Sequence, residues 1–327
     1  MAHFFLKHIT KYDYSEPVKD SANQIILTPP SNEFQKIVDH SILIEPNAPI
    51  DYYQDYFNNQ IGVFTIIPAH QQLKISVLAE VVTSKIPEPE LTDSIENQWK
   101  ALTQLNKEYW VLDYLNKTHH SYEADFEKLG KELIQENMGL VEVVKAFMHY
   151  IYNNFKYEKG VTNIETSVDE IWELKSGVCQ DFAHLLLAFL RNLGFPSRYV
   201  SGYICPASNE LRGEGATHAW VEAYIPGYGW LGIDPTNNCL VSDRHIKIAV
   251  GRNFDDCTPV KGTYKGAREH TLNVIVIIAT DKSKLDKEEL LIMNHDNNSA
   301  YTIKQNGNDN QLNSYQRFIQ EQQQQQQ

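Results

Sequence analysis

Apolar positions change period twice along the chain. Up to about residue 88 they come in short runs: Tyr12 and Tyr14, Ile25 to Leu27, Ile42 to Ile44, and Phe64 to Ile67. Pro17, Pro29, Pro30, Pro46 and Pro49 punctuate them. Leu73, Ile75, Val77, Ala79 and Val81 then alternate strictly, which places them on one face of a half-buried strand. Short strands separated by turn residues predict a sandwich-like β module over residues 1–88. Ile86 to Ser94, with Pro87 and Pro89, reads as a linker. The period then lengthens to that of a helix at Ile95 to Leu105, Phe126 to Glu136 and Leu140 to Phe155. Phe182, Leu185, Leu186, Phe189, Leu190 and Leu193 form a stripe wide enough for a helix buried on most sides, running from Cys179 to Leu193. Gly194 is suited to the left-handed residue that ends it, and Pro196 prevents its continuation. Strand periods return at Arg198 to Cys205, His218 to Ile225, Gly229 to Asp234 and Leu272 to Ala279. The second unit, residues 89–285, is therefore expected to be α+β, helices first and strands after. Residues 286–327, rich in Asn and Gln and ending in Gln322 to Gln327, read as a polar tail that is mostly disordered.

The chemistry is concentrated where these periods meet. Ser176 and Gly177 make a small flexible turn that runs into the buried helix, so the thiol of Cys179 sits at a helix N-terminus. Unpaired N–H groups and the helix dipole there favour thiolate over thiol. His218 and Asp234 follow on strand-like segments. A nucleophile, a base and a group to orient the base thus occur in the order needed for acyl transfer through a thioester. On its strand His218 shares a face with Trp220 and Glu222, opposite Ala219, Val221 and Ala223. The apolar face should meet the core, and the mixed face suits a cleft wall. Asp234 precedes Pro235 and is expected to be extended. The Cys179 backbone N–H is the first candidate for stabilising an oxyanion, with Tyr157 or Gln180 as the second donor. His184, five positions after Cys179, lies off its face and is expected to be structural.

These segments resemble the transglutaminase-like cysteine hydrolases, specifically the bacterial branch with an N-terminal β domain. The likeness is carried by SGVCQDFAHLL (Ser176 to Leu186), RNLGFPSRYVSGY (Arg191 to Tyr203), THAWVEAYIPGYGWLGIDPTN (Thr217 to Asn237) and DRHIKIAVGRNFDDCTPVKGTYKG (Asp243 to Gly266). YDYSEPVKDSANQIILTPP (Tyr12 to Pro30) carries it into the first domain. After Gly-Arg the family usually has Asp-Tyr, where this chain has Asn253 and Phe254. The resemblance implies a papain-like, transglutaminase-core fold with the Cys helix on an antiparallel sheet. It also implies Cys179 as nucleophile, His218 as base and Asp234 as orienter, acting on a protein or peptide. Hydrolysis of an amide is favoured, because water is always present whereas transfer to an amine needs a second groove. Glutamine transamidation or deamidation is the alternative, and a binding module without turnover the competing class.

Composition narrows the partners. The formal net charge of −13 disfavours nucleic acid and anionic membranes, which need a basic footprint. A hydrophobic content of 42% supports a buried core. Cys205, Cys239 and Cys257 lack C-x-x-C spacing, so neither a disulfide framework nor a zinc ribbon is expected; they read as small buried hydrophobes. No HExxH, phosphate-loop or dinucleotide motif occurs, and no cofactor or metal is expected. The N-terminus does not read as a signal peptide and no run is long enough for a membrane span, which makes cytoplasmic residence the default expectation.

Overall fold

The computed structural model describes residues 1–117, 119–163, 166–205 and 217–285, with the backbone of 301–304. The N-terminal region is built on one long strand, β1 (Ala2–Ile25), followed by β2 (Gln35–Glu45), β3 (Asp51–Gln54), β4 (Gln60–Ile66) and β5 (His70–Thr83). The first half of β1 pairs with β5, which pairs with β2; its second half pairs with β4, which pairs with β3. The β1–β5 register breaks between Asp13 and Val18, where β1 passes from one layer to the other. Tyr12, Val18, Ile25, Phe64, Ile75 and Val77 fill the space between the layers. This is the sandwich that the alternating pattern predicts.

Helices α1 (Ile95–Leu105), α2 (Leu112–Leu115), α3 (Glu123–Leu133) and α4 (Leu140–Asn154) follow. Short strand β6 (Lys156–Tyr157), helix α5 (Val168–Leu174) and strand β7 (Ser176–Gly177) lead into α6 (Cys179–Asn192). Nearly every residue of α6 is buried, as its wide stripe predicts. It ends as its sequence dictates. Gly194 has φ +83°, Phe195 N–H donates to Leu190 C=O at 2.9 Å and Gly194 N–H to Arg191 C=O at 3.1 Å, which together form a Schellman closure.

Helix α6 lies on a five-stranded antiparallel sheet ordered β11 (Cys239–Leu240), β10 (Gly229–Asp234), β9 (Thr217–Ile225), β8 (Ser197–Ile204) and β12 (His245–Gly251). Ala219, Val221, Ala223, Leu231 and Ile233 face the helix. The outer edge of β12 would leave backbone groups unpaired, and the first domain satisfies them with side-chain amides. Gln35 donates to Lys247 C=O (2.9 Å) and accepts from Lys247 N–H (2.8 Å). Asn59 does the same at Val250 (2.7 and 2.8 Å).

One strand falls elsewhere than the sequence reading places it. Leu272 to Ala279 belong to β14 (Glu269–Ala279), which pairs with β1 over Phe5 to Tyr14 and not with the five-stranded sheet. The preceding β13 (Val260–Lys265) also pairs with β1. The 89–285 segment therefore returns its last two strands to the first domain. Alternation fixes that a strand is half-buried but not which partner it joins. Of the polar tail, β15 (Tyr301–Lys304) pairs with β14, so a short piece docks; the expectation of disorder for the rest concerns residues outside the described ones. Among the described residues no helix is long and apolar enough to cross a membrane.

Candidate active site

Cys179 is the first residue of α6 and is partly buried. Two features fix the helix start. The Asp181 carboxylate reaches back to accept from Val178 N–H at 2.7 Å and from the Thr162 hydroxyl at 2.6 Å. Gly177 provides the room: a Cβ there would lie 2.6 Å from Asp181 Oδ2. Burial raises the Asp181 pKa, the two hydrogen bonds offset part of that, and it settles at about 6. Tyr157 lies opposite Gly177 in the parallel β6–β7 pair, with its ring against Phe182, and Gln180 is buried one residue after the thiol. Both oxyanion candidates therefore flank the helix start.

His218 and Asp234 are brought together as expected. His218 Nε2 lies 2.8 Å from Asp234 Oδ2, and both side chains are fully buried. Burial alone would lower the His218 pKa; the Asp234 carboxylate, and after it Cys179, override this and raise it. The raised value, about 10, describes an imidazolium held between a carboxylate and a thiol. Nε2 is committed to Asp234, so Nδ1, which has no nitrogen or oxygen partner among the described residues, is the atom left for the Cys179 sulfur.

The Asp234 carboxylate divides its work between its two oxygens. Oδ1 accepts from Thr236 N–H (2.9 Å) and Asn237 N–H (3.2 Å), a turn-initiating role suited to an Asp before Pro235. Oδ2 accepts from His218, from Asn237 Nδ2 at 2.8 Å, and from His245 Nε2 at 3.3 Å. Burial would raise its pKa; the two imidazoles hold it well below the usual carboxylate range.

Two findings depart from the sequence reading. The side chains of His218, Trp220 and Glu222 are all buried, and Trp220 and Glu222 border a cavity that His218 does not line. The connection from β11 to β12 crosses beneath the face that carries them, with Val241 against Gly232, and Arg198 and Lys247 pair with Glu222. His245, against Asp234, is the site neighbour that the sequence reading missed. The alternation of His245 and Lys247 against Ile246 and Ile248 was its available signal, because it puts a histidine on the polar face at the start of a strand. His218, Asp234 and His245 offer ligand atoms within 4.8 Å of one another, a set that could hold a metal. Here both imidazole Nε2 atoms lie against one carboxylate oxygen, the arrangement of a hydrogen-bonded cluster.

His184 is partly buried on α6 and accepts from Phe254 N–H at 3.3 Å; desolvation lowers its pKa to about 4. The Asn253–Phe254 departure thus bears on a contact to α6 and not on the dyad. All four cysteines are free thiols. Burial raises the pKa of Cys239 to about 12 and pushes those of Cys205 and Cys257 further up.

The comparisons agree with this architecture. Residues 127–235, which contain Cys179, His218 and Asp234, match the transglutaminase-like superfamily, and residues 4–82 match the bacterial transglutaminase-like N-terminal region. An uncharacterised protein of Mycobacterium leprae is 31% identical over 274 residues, covering 83% of this chain and 96% of its own. A protein-glutamine gamma-glutamyltransferase of Pseudomonas aeruginosa is 40% identical over 116 residues, which is 33% of this chain and 17% of that one. The crystal structure of a “putative cysteine protease” from Cytophaga hutchinsonii superposes with a TM-score of 0.66 at 24% identity, covering 85% of this chain and 91% of the other, and shows the same fold. By sequence, by fold and by the order of its two matched regions, this chain belongs to the transglutaminase-like superfamily, with the bacterial N-terminal region preceding its core.

Proposed function

We propose that the protein is a cysteine-dependent hydrolase of amide bonds in proteins or peptides, with Cys179, His218 and Asp234 acting as a triad. The observation that carries this reading is the buried His218–Asp234 pair, with the ring's other nitrogen left for a thiol at a helix start. The His218 imidazolium and the helix N-terminus stabilise the thiolate, which attacks the carbonyl carbon. The Cys179 N–H, helped by Tyr157 or Gln180, stabilises the oxyanion. His218 protonates the leaving amine, and Asp234 keeps the ring in the required tautomer. Water then attacks the thioester carbonyl, His218 takes its proton, and the acid and free thiol are released.

A second reading, transfer to an amine in place of water, draws support from the Pseudomonas aeruginosa glutamyltransferase, which is similar across the core. One experiment separates the two. The protein is incubated with a glutamine-containing peptide library, with and without a primary amine, and products are read by mass. Peptide cleavage supports hydrolysis of the backbone, and a gain of about one mass unit, the change of an amide to an acid, supports deamidation. Amine adducts formed faster than hydrolysis products would overturn the hydrolase reading. Iodoacetamide labelling over a pH series tests the triad itself. Cys179 should react well below the ordinary thiol pKa of about 8.5, and His218→Ala should abolish that advantage. Faster labelling of Cys205, Cys239 or Cys257 would mean that the wrong thiol has been named.

A further inference from the structure

We infer that His245 is a positioning residue for the reaction, fixing the carboxylate that orients the base. The inference rests on the triad reading above. Its basis is the set of donors around Asp234 Oδ2, which has His218 Nε2 and Asn237 Nδ2 each at 2.8 Å and His245 Nε2 at 3.3 Å. The tautomer of His245 follows from its second contact. Ser242 N–H donates to His245 Nδ1 at 3.2 Å, so Nδ1 is the acceptor and the proton resides on Nε2, directed at Asp234. The ring is itself clamped edge-to-face against Trp220, with centroids 5.3 Å apart. Trp220 can lie there because residue 202 is glycine: a Cβ at that position would collide with the indole and with Ile246 C=O. A backbone amide thus sets an imidazole, the imidazole helps to set a carboxylate, and the carboxylate sets the base.

The geometry also explains why a second imidazole is used where water could serve. Asp234 is fully buried, and losing one of the three donors on Oδ2 would be costly and would let the carboxylate turn from His218 towards Asn237. On its far side His245 borders a cavity of about 480 Å³, also lined by Trp220, Ser242, Glu222, Lys247 and Tyr228. The ionisable groups around His245 are therefore Asp234, with His218 and Cys179 beyond it, and Glu222, Lys247, Tyr228 and Glu33 around the cavity. Glu222 and Lys247 are paired with each other.

Three substitutions separate positioning from mere packing. His245→Gln can place an amide N–H where Nε2–H was. His245→Asn can accept from Ser242 but is too short to reach Asp234. His245→Ala opens a hole of imidazole size onto the cavity. The readout is the rate of Cys179 alkylation by iodoacetamide against pH, which needs no substrate, with melting temperature as a control. Relative to the parent, His245→Asn and His245→Ala should react about tenfold more slowly near pH 6, the cost expected when a buried carboxylate loses one of its donors. Their pH midpoints should move upward, His245→Gln should stay close to the parent, and added imidazole should restore His245→Ala. A His245→Asn profile that superimposes on the parent would overturn the inference. So would an equal loss in all three variants with no rescue by imidazole, which is what a purely structural residue gives. If the parent itself shows no His218-dependent reactivity at low pH, the triad reading fails first and the inference falls with it.

Discussion

The two faces of the five-stranded sheet are both buried, yet they are built by opposite means. The face under α6 is apolar: Ala219, Val221, Ala223, Leu231 and Ile233 meet Leu185, Leu186 and Phe189. The other face holds His218, Trp220, Glu222, Asp234, His245 and Lys247 within the same thickness of protein. Contacts on the first face are non-directional and depend on volume. On the second every charge has a named partner: Glu222 between Arg198 (2.6 Å) and Lys247, and Asp234 between two imidazoles. The apolar face sets where α6 lies, and the polar face sets the angle of individual bonds. On the proposed triad, a thiol delivered by the first face can be used only if a ring on the second is correctly turned.

The largest effects should follow from breaking the link between the faces. Cys179→Ala should abolish turnover while leaving the melting temperature unchanged, since one small side chain replaces another. His218→Ala should cost on the order of 10⁴-fold or more in kcat/KM, and Asp234→Ala measurably less, because an orienter contributes less than the base it orients. Steady-state kinetics on the substrate found by the product screen would check the order. A larger loss from Asp234→Ala than from His218→Ala would mean that the carboxylate does more than orient.

The apolar face was legible in the sequence and the polar face only in part. The stripe from Phe182 to Leu193, closed by Gly194 and Pro196, gives α6 its limits and its burial. Cys179 after Ser-Gly, His218 on an alternating strand and Asp234 before Pro235 could each be read from their neighbours, and the structure brings His218 and Asp234 to 2.8 Å. What could not be read depends on distant partners. The alternation in Glu269 to Ala279 does not say that its ladder partner is β1, some 260 residues earlier in the chain. Nor does the mixed face of β9 reveal that a crossing connection and two cations close it. Lacking those partners, polar residues on a strand are read as facing a cleft. His245 was missed for the same reason: its meaning lies in Asp234 and Ser242, and its neighbours Arg244 and Ile246 give no sign of either contact.

Conservative substitutions should next separate the faces by stability. Leu186→Met nearly conserves volume in a non-directional environment and should cost less than about 1.5 kcal/mol. Glu222→Gln is equally conservative in shape but leaves Arg198 and Lys247 without their shared anion, and should cost about 3–5 kcal/mol. Denaturant midpoints with unchanged slopes would report both values. Comparable losses would mean that the polar face is no more specific than the apolar one. Leu186→Met should also leave the pH profile of Cys179 labelling where it was.

A smaller effect, and the most diagnostic, is the pH dependence of stability that the dyad imposes. The folded pKa of His218 is raised from 6.5 to about 10, so its contribution is fully present below its unfolded value and is lost as pH rises towards 10. The folded pKa of Asp234 is depressed, so its contribution is present above its unfolded value, near 3.8, and is lost as pH falls below it. The pair is therefore most stabilising between about pH 4 and 6.5 and weakens on both sides. Asp181 adds a slope of the same sign as the His218 limb, but at lower pH. Its folded pKa is raised to about 6, so it favours the folded state least above that pH and more as pH falls towards 3.8. Melting temperature measured against pH should fall from about pH 6.5 to 10 in the parent. Asp234→Asn, which removes the charge that raises the His218 pKa, should flatten that alkaline limb and leave the Asp181 slope in place. An alkaline limb of the same steepness in Asp234→Asn would assign it to other groups and leave His218 without a charged partner in the folded state.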